Sequence, residues 1–119
     1  MSVLIVDDDV VFREALEKDL RQTGYVARAT AGLESALQAL LQANHRVAVV
    51  DAHLAYGETR ALIALLRRCA IPIVLLLECD ATTGTVQHTE FVCDVTLVKP
   101  VGLVELEHSL KQLLARHRY

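Results

Sequence analysis

Val3-Leu-Ile-Val-Asp-Asp-Asp9 is the stretch on which the reading of this chain turns. Four apolar residues follow one another without polar alternation, as a strand covered on both faces requires. The run then stops in three carboxylates. The pattern recurs downstream. Val47-Ala-Val-Val-Asp51 ends in a lone aspartate, Ile73–Leu77 is a further continuous run, and Val95–Val98 leads into Lys99-Pro100. Tyr25–Thr30 behaves differently. Tyr25, Ala27 and Ala29 alternate with Val26, Arg28 and Thr30, the habit of a half-exposed edge strand.

Between these runs the apolar spacing changes to that of amphipathic helices. The predicted inward faces are Phe12, Ala15, Leu16 and Leu20; Leu33, Ala36, Leu37, Leu40 and Leu41; Leu62, Leu65, Leu66 and Cys69; and Leu103, Leu106, Leu110, Leu113 and Leu114. Asp9 stands where an N-cap belongs and Gly24 where a helix ends. From Glu78 to Asp94 the apolar spacing thins and Thr82, Thr83, Gly84, Thr85 and Thr89 disfavour helix, so a short, late-starting or mobile fourth helix is expected. Strand and helix alternate five times. This order calls for an α/β fold: a doubly wound (βα)5 parallel five-stranded sheet with helices on both faces. A closed eight-unit barrel would need about twice the length.

With 119 residues, 53% of them hydrophobic, the chain reads as one receptacle for a single core, a domain spanning 1–119. No apolar run is long enough to cross a bilayer, and no basic-then-apolar leader precedes Val3, so neither a membrane span nor secretion is expected. A net charge of −3 announces no nucleic-acid-binding surface. Cys69, Cys79 and Cys93 lack CxxC spacing and fit reduced thiols in a cytoplasmic protein.

The strand ends carry the chemistry. In an open α/β sheet, ligands sit beyond the carboxyl ends of the strands where the winding reverses. If the first and third strands are neighbours there, about 4.8 Å apart, Asp7, Asp8 and Asp51 share one small volume. Three carboxylates that close repel one another unless a cation intervenes. Mg²⁺ suits such a site, because it binds through one or two carboxylates and keeps several waters. Lys99 would add a fixed positive charge, and a carboxylate beside it is a competent nucleophile toward phosphorus. Asp51, alone at its strand end, is the better nucleophile; Asp7 and Asp8 are the better metal ligands. Each of these residues alone has an ordinary explanation as a cap or a surface charge. Their joint occurrence on three strands does not.

Through Val3–Asp9, Val47–Asp51, Ile71-Pro-Ile-Val-Leu75 and Val98-Lys-Pro100, the whole chain resembles a bacterial response-regulator receiver domain, of the CheY-like superfamily and flavodoxin-like fold. The resemblance implies strand order 2-1-3-4-5, with Asp51 accepting a phosphoryl group from a histidine kinase or phosphotransfer protein. It implies Mg²⁺ bound directly by Asp8, Asp51 and the backbone carbonyl of His53, with Asp7 acting through water. Lys99 would contact the phosphoryl group, and the bond before Pro100 would be cis. Output would pass to a homodimer partner, a downstream protein or an output domain through the fourth helix, fifth strand and fifth helix. Such a domain is an interaction switch rather than a metabolic enzyme.

Departures from the family pattern accompany the match. Leu77 stands where the family carries a threonine or serine, Thr96 where it carries an aromatic residue, and Ala55 where it carries a proline. The first two are the parts that usually link phosphate to the surface, so a pseudo-receiver that binds or dimerises regardless of phosphate is the alternative. Asp7-Asp8-Asp9-Val10-Val11 also fits the DxDx(T/V) pattern of haloacid-dehalogenase-like phosphohydrolases, but that reading leaves Asp51 unexplained. The remaining candidates are modest. His53 either lines the site or faces solvent; His45, His88, His108 and His117 are expected at the surface, and Cys79 and Cys93 as small buried residues.

Overall fold

The computed structural model describes residues 2–80, 82–84 and 91–116. Its strands are β1 (Ser2–Val6), β2 (Val26–Thr30), β3 (Val47–Asp51), β4 (Ile73–Leu77) and β5 (Val95–Val98). The helices are α1 (Val10–Gln22), α2 (Leu33–Gln42), α3 (Glu58–Arg68) and α4 (Leu103–Arg116). All strand pairs are parallel, in the order β2-β1-β3-β4-β5. That is the expected (βα)5 sheet. The expected short fourth helix falls largely on residues 81 and 85–90, which lie outside the described residues, so the helix after β5 takes the label α4. Among the described residues, no helix is long and apolar enough to cross a membrane.

The unbroken apolar runs are explained by two cores, one on each face of the sheet. Val3 and Ile5 of β1 join Val47, Val49, Val74, Leu76 and Leu97 beneath Leu16 and Leu20 of α1 and Leu106, Leu110 and Leu113 of α4. Leu4 and Val6 point the other way, with Ala48, Val50, Ile73, Leu75 and Leu77, beneath α2 and α3. Successive side chains alternate sides in a strand, so a sheet buried on both faces needs apolar residues at every position. β2 is an edge strand, with Ala27 buried and Val26 and Arg28 exposed as its alternation implied, whereas Thr30 of the same set is buried, its hydroxyl donating to the Ile5 carbonyl at 2.7 Å.

The helices face the sheet along narrower stripes than their sequence spacing suggested. On α2 the buried residues are Ala36 and Ala39, with Leu40 partly buried, whereas Leu41 is 87% exposed and Leu37 also open. This helix lies over β1 and β2 at the margin of the sheet and beside α3, so two small residues bring it close and the outer leucines find nothing to cover them. On α1, Ala15 is exposed and Leu16 and Leu20 carry the contact. On α3 the inward set is Thr59, Leu62, Ile63 and Leu66; Leu65 is only partly buried and Cys69 is exposed. The α4 face agrees with expectation apart from Leu103, which is half-buried.

The ends of α1 are set by residues close in sequence. Asp9 is the α1 N-cap, its carboxylate accepting from the N–H groups of Val11 and Phe12 at 3.0 and 3.2 Å. Gly24 follows α1 at φ 99°, a left-handed position that glycine occupies without penalty.

Candidate functional site

β1 and β3 are adjacent, with Val6 opposite Val50, and β2 lies on the far side of β1. The winding direction therefore reverses between β1 and β3, and the residues just beyond both strands meet there. Asp7, Asp8 and Asp51 each place a carboxylate oxygen within 4.8 Å of the others. Asp7 and Asp51 are 1% and 2% exposed, whereas Asp8 faces solvent. Such a set of hard oxygen donors, two held by buried backbone and one open to water, fits a divalent ion of the Mg²⁺ type.

Lys99 closes the group from β5. Its Nζ lies 2.8 Å from Asp7 Oδ2 and 3.8 Å from Asp51 Oδ1. Its backbone N–H donates to the Leu77 carbonyl at 2.8 Å, which continues the β4–β5 ladder and fixes where the side chain leaves the sheet. The Lys99–Pro100 bond is cis, as the resemblance implied.

Each carboxylate is differently engaged. Asp7 accepts from Lys99 on one oxygen and from the Asp9 N–H on the other, at 2.9 Å. Asp51 Oδ1 accepts from the His53 N–H at 3.2 Å. Asp51 Oδ2 has no protein donor among the described residues.

The electrostatics follow from this crowding. The Asp51 pKa is raised, first by burial, then by the charge of Asp7 and less by Asp8; the His53 N–H and Lys99 oppose the shift without cancelling it. For Lys99, burial acts to lower the pKa, but the hydrogen bond to Asp7 and the charges of Asp51, Asp7 and Glu78 outweigh it, and the net shift is upward. The lysine stays an ammonium, while Asp51 is an anion held at some cost.

A profile of the response regulator receiver domain family matches residues 3–111. The chain belongs to that family. Two-component response regulator PhoP of Pseudomonas aeruginosa is 31% identical over 98% of this chain and 52% of its own length. A putative response regulator from Chloroflexus aurantiacus is 31% identical, with a TM-score of 0.80 over 97% of this receiver and 98% of that chain. TrrA of Thermotoga maritima, solved in complex with Mg²⁺-BeF, superposes with a TM-score of 0.76 at 23% identity, over 95% of this receiver and 98% of that chain. The receiver spans about half the length of the curated relatives it matches. Family membership removes the phosphohydrolase reading; receivers are phosphoacceptor modules rather than conventional enzymes.

Other residues depart from expectation. His53 is exposed, and it meets the site through its backbone. His45 is buried, not superficial: its Nδ1 lies 2.7 Å from Ser2 Oγ and its Nε2 3.2 Å from the Ala39 carbonyl. Its position between two elements, rather than its type, put it there. His108 is exposed, as expected, whereas His88 and His117 lie outside the described residues. Cys79 is exposed, which corrects the expectation of burial, because it falls beyond the end of β4; Cys93 is half-buried.

Two contacts at the site had no sequence signal. Thr59, in the first turn of α3 and 2% exposed, donates its hydroxyl to the Asp51 carbonyl and accepts from the Leu54 N–H, both at 3.0 Å. It fastens the loop after the acceptor, which turns through left-handed Tyr56 and Gly57, to the strand end. Phe12 places its ring centroid 4.4 Å from Lys99 Nζ. Both contacts join parts of the chain distant enough that no local pattern encodes them.

Proposed function

We propose that this receiver accepts a phosphoryl group on Asp51 from a histidine kinase or a phosphotransfer protein. The observation that carries the reading is the convergence of Asp7, Asp8 and Asp51 with the Lys99 ammonium 3.8 Å from the acceptor. Asp51 Oδ2, which accepts no hydrogen bond from the described residues, attacks phosphorus; a P–O bond forms as the bond to the donor nitrogen breaks, and the nitrogen recovers a proton. Lys99 remains charged and offers its ammonium to a phosphoryl oxygen. Asp8 and Asp51, with the backbone carbonyl of His53, would hold Mg²⁺ directly. Asp7, both of whose oxygens already accept hydrogen bonds, would act through water. The ion, when bound, supplies positive charge against the transferring oxygens.

Output is the less complete part. Leu77, 6% exposed at the end of β4, offers no hydroxyl to the phosphate, and Thr96 on β5 is exposed with its hydroxyl 3.2 Å from Cys93 Sγ. A phosphoryl group shifts a conformational balance only as far as it contacts the two states differently. Losing one charge-assisted hydrogen bond removes about 2 kcal/mol of that difference. The receiver therefore accepts phosphate with a weakened response along the face proposed for a partner protein, an output domain or a second copy: β5, α4 and the expected helix before β5, which lies largely outside the described residues. These two residues also favour a second reading, a phosphate-indifferent interaction module.

Acetyl phosphate with Mg²⁺ separates the two. The first reading expects an acid-stable, base-labile label that Asp51→Asn abolishes and that chelation prevents. No label in the wild type, or one that survives Asp51→Asn, would leave the interaction module.

A further inference from the structure

We propose that Phe12 is a positioning residue for the Lys99 ammonium. Its catalytic consequence rests on the phosphoacceptor reading above; the contact itself does not.

The ammonium sits among three partners: Asp7 Oδ2 at 2.8 Å, Asp51 Oδ1 at 3.8 Å and the face of the Phe12 ring at 4.4 Å. An aromatic face carries the negative part of the ring quadrupole and attracts a cation at this range, more strongly where water is excluded. The Lys99 side chain is only 15% exposed, so the condition is met.

The ring is also held in place. The N–H of Phe12 itself donates to Asp9 Oδ1, and the neighbouring Arg13 Nη1 donates to the carbonyls of Asp7 and Asp8, both at 3.3 Å. The first turn of α1 is thereby stitched to the same acidic loop that holds the carboxylates. Below, the ring packs against the core that includes Leu16, Leu97 and Leu106. It forms a fixed apolar wall that attracts the ammonium without binding it as tightly as a second carboxylate would. Lys99 can then turn from Asp7 toward a phosphoryl oxygen on Asp51 and still keep favourable surroundings. Leu77 at the end of β4 offers no hydroxyl, and the Thr96 hydroxyl on β5 lies against Cys93 Sγ at 3.2 Å.

The test compares Phe12→Leu, which keeps apolar bulk without a π face, with Phe12→Tyr, which keeps the face. The first readout uses the unphosphorylated protein: the Lys99 side-chain Hε resonances. They are expected upfield through ring current in the wild type and in Phe12→Tyr, and at ordinary positions in Phe12→Leu. The second is beryllofluoride titration with Mg²⁺, in which Phe12→Leu should bind about five- to tenfold more weakly and Phe12→Tyr close to wild type. Unshifted Lys99 resonances in the wild type overturn the proposal. So does a folded Phe12→Leu, judged by amide dispersion, that binds beryllofluoride as well as the wild type. Failure of the wild type to bind beryllofluoride would instead overturn the phosphoacceptor reading, and the Lys99 resonances would still decide whether the ring positions the ammonium.

Discussion

Replacing Asp51 by asparagine should make the metal-free protein more stable while removing its reactivity. The Asp51 carboxylate is buried and has carboxylate oxygens of Asp7 and Asp8 within 4.8 Å. At an effective dielectric constant of about 20, each full charge at that distance repels by about 3 kcal/mol, less for solvent-facing Asp8. Lys99 at 3.8 Å returns about 4 kcal/mol. The His53 N–H contributes about 1 kcal/mol. Desolvation of the anion comes on top, and the raised pKa of Asp51 shows that the unfavourable side prevails. Asparagine keeps the size and an acceptor for His53 but carries no charge. The expected gain is about 1–2 kcal/mol, or about 4–8 °C in Tm for a domain of this size.

An acid whose pKa is higher in the folded state costs stability as pH rises from its unfolded value, near 3.9, through its folded one. The advantage of Asp51→Asn should therefore be small at the acid end and full at neutral pH. Thermal unfolding in chelator and in excess Mg²⁺, across this range, is the assay. Mg²⁺ should stabilise the wild type more than the variant, since the ion relieves the same repulsion. A variant less stable than wild type in chelator at neutral pH, with Mg²⁺ stabilising both equally, would refute the electrostatic reasoning.

Lys99→Met leaves Asp7 buried without its ammonium, so urea unfolding in chelator should show a loss of about 3 kcal/mol. Unchanged stability would mean that Asp7 does not depend on the pair. Burial lowers the pKa of His45, outweighing the raising effect of its hydrogen bond to the Ala39 carbonyl, with Arg28 as a smaller lowering cause. The unfolded chain then binds the proton more readily, so this contribution is complete above about pH 6.5 and is lost as pH falls. His45→Gln should flatten the slope of stability against pH between about 7.5 and 5.5 in urea unfolding. Leu77→Thr should cost about 2–3 kcal/mol of stability by hollowing the core under α3. In exchange it offers the phosphoryl group a hydrogen bond of about 2 kcal/mol, read as larger beryllofluoride-induced amide shifts along β5 and α4. Shifts no larger than those of the wild type would show that the hydroxyl is not the missing link.

What could be read without coordinates was whatever depends on near neighbours along the chain. Continuous apolar runs reveal strands buried on two faces because side chains alternate at every residue. Asp9 and Gly24 mark the ends of α1 because capping is settled within a few residues. The carboxylates at the ends of β1 and β3 were legible for a related reason: once parallel strands are neighbours, their carboxyl ends are neighbours too.

Tertiary structure alone decided the relations between distant segments. Leu41 and Ala39 are both apolar in the sequence, but which of them meets a sheet depends on where the sheet ends. His45 is buried because Ser2 and Ala39 happen to flank it. Thr59 bridges back to Asp51, and Phe12 lies over a lysine from β5, through contacts that no periodicity records. Hydrogen bonds and cation–ring attractions act over a few ångströms of space, and only the folded chain brings such partners within reach.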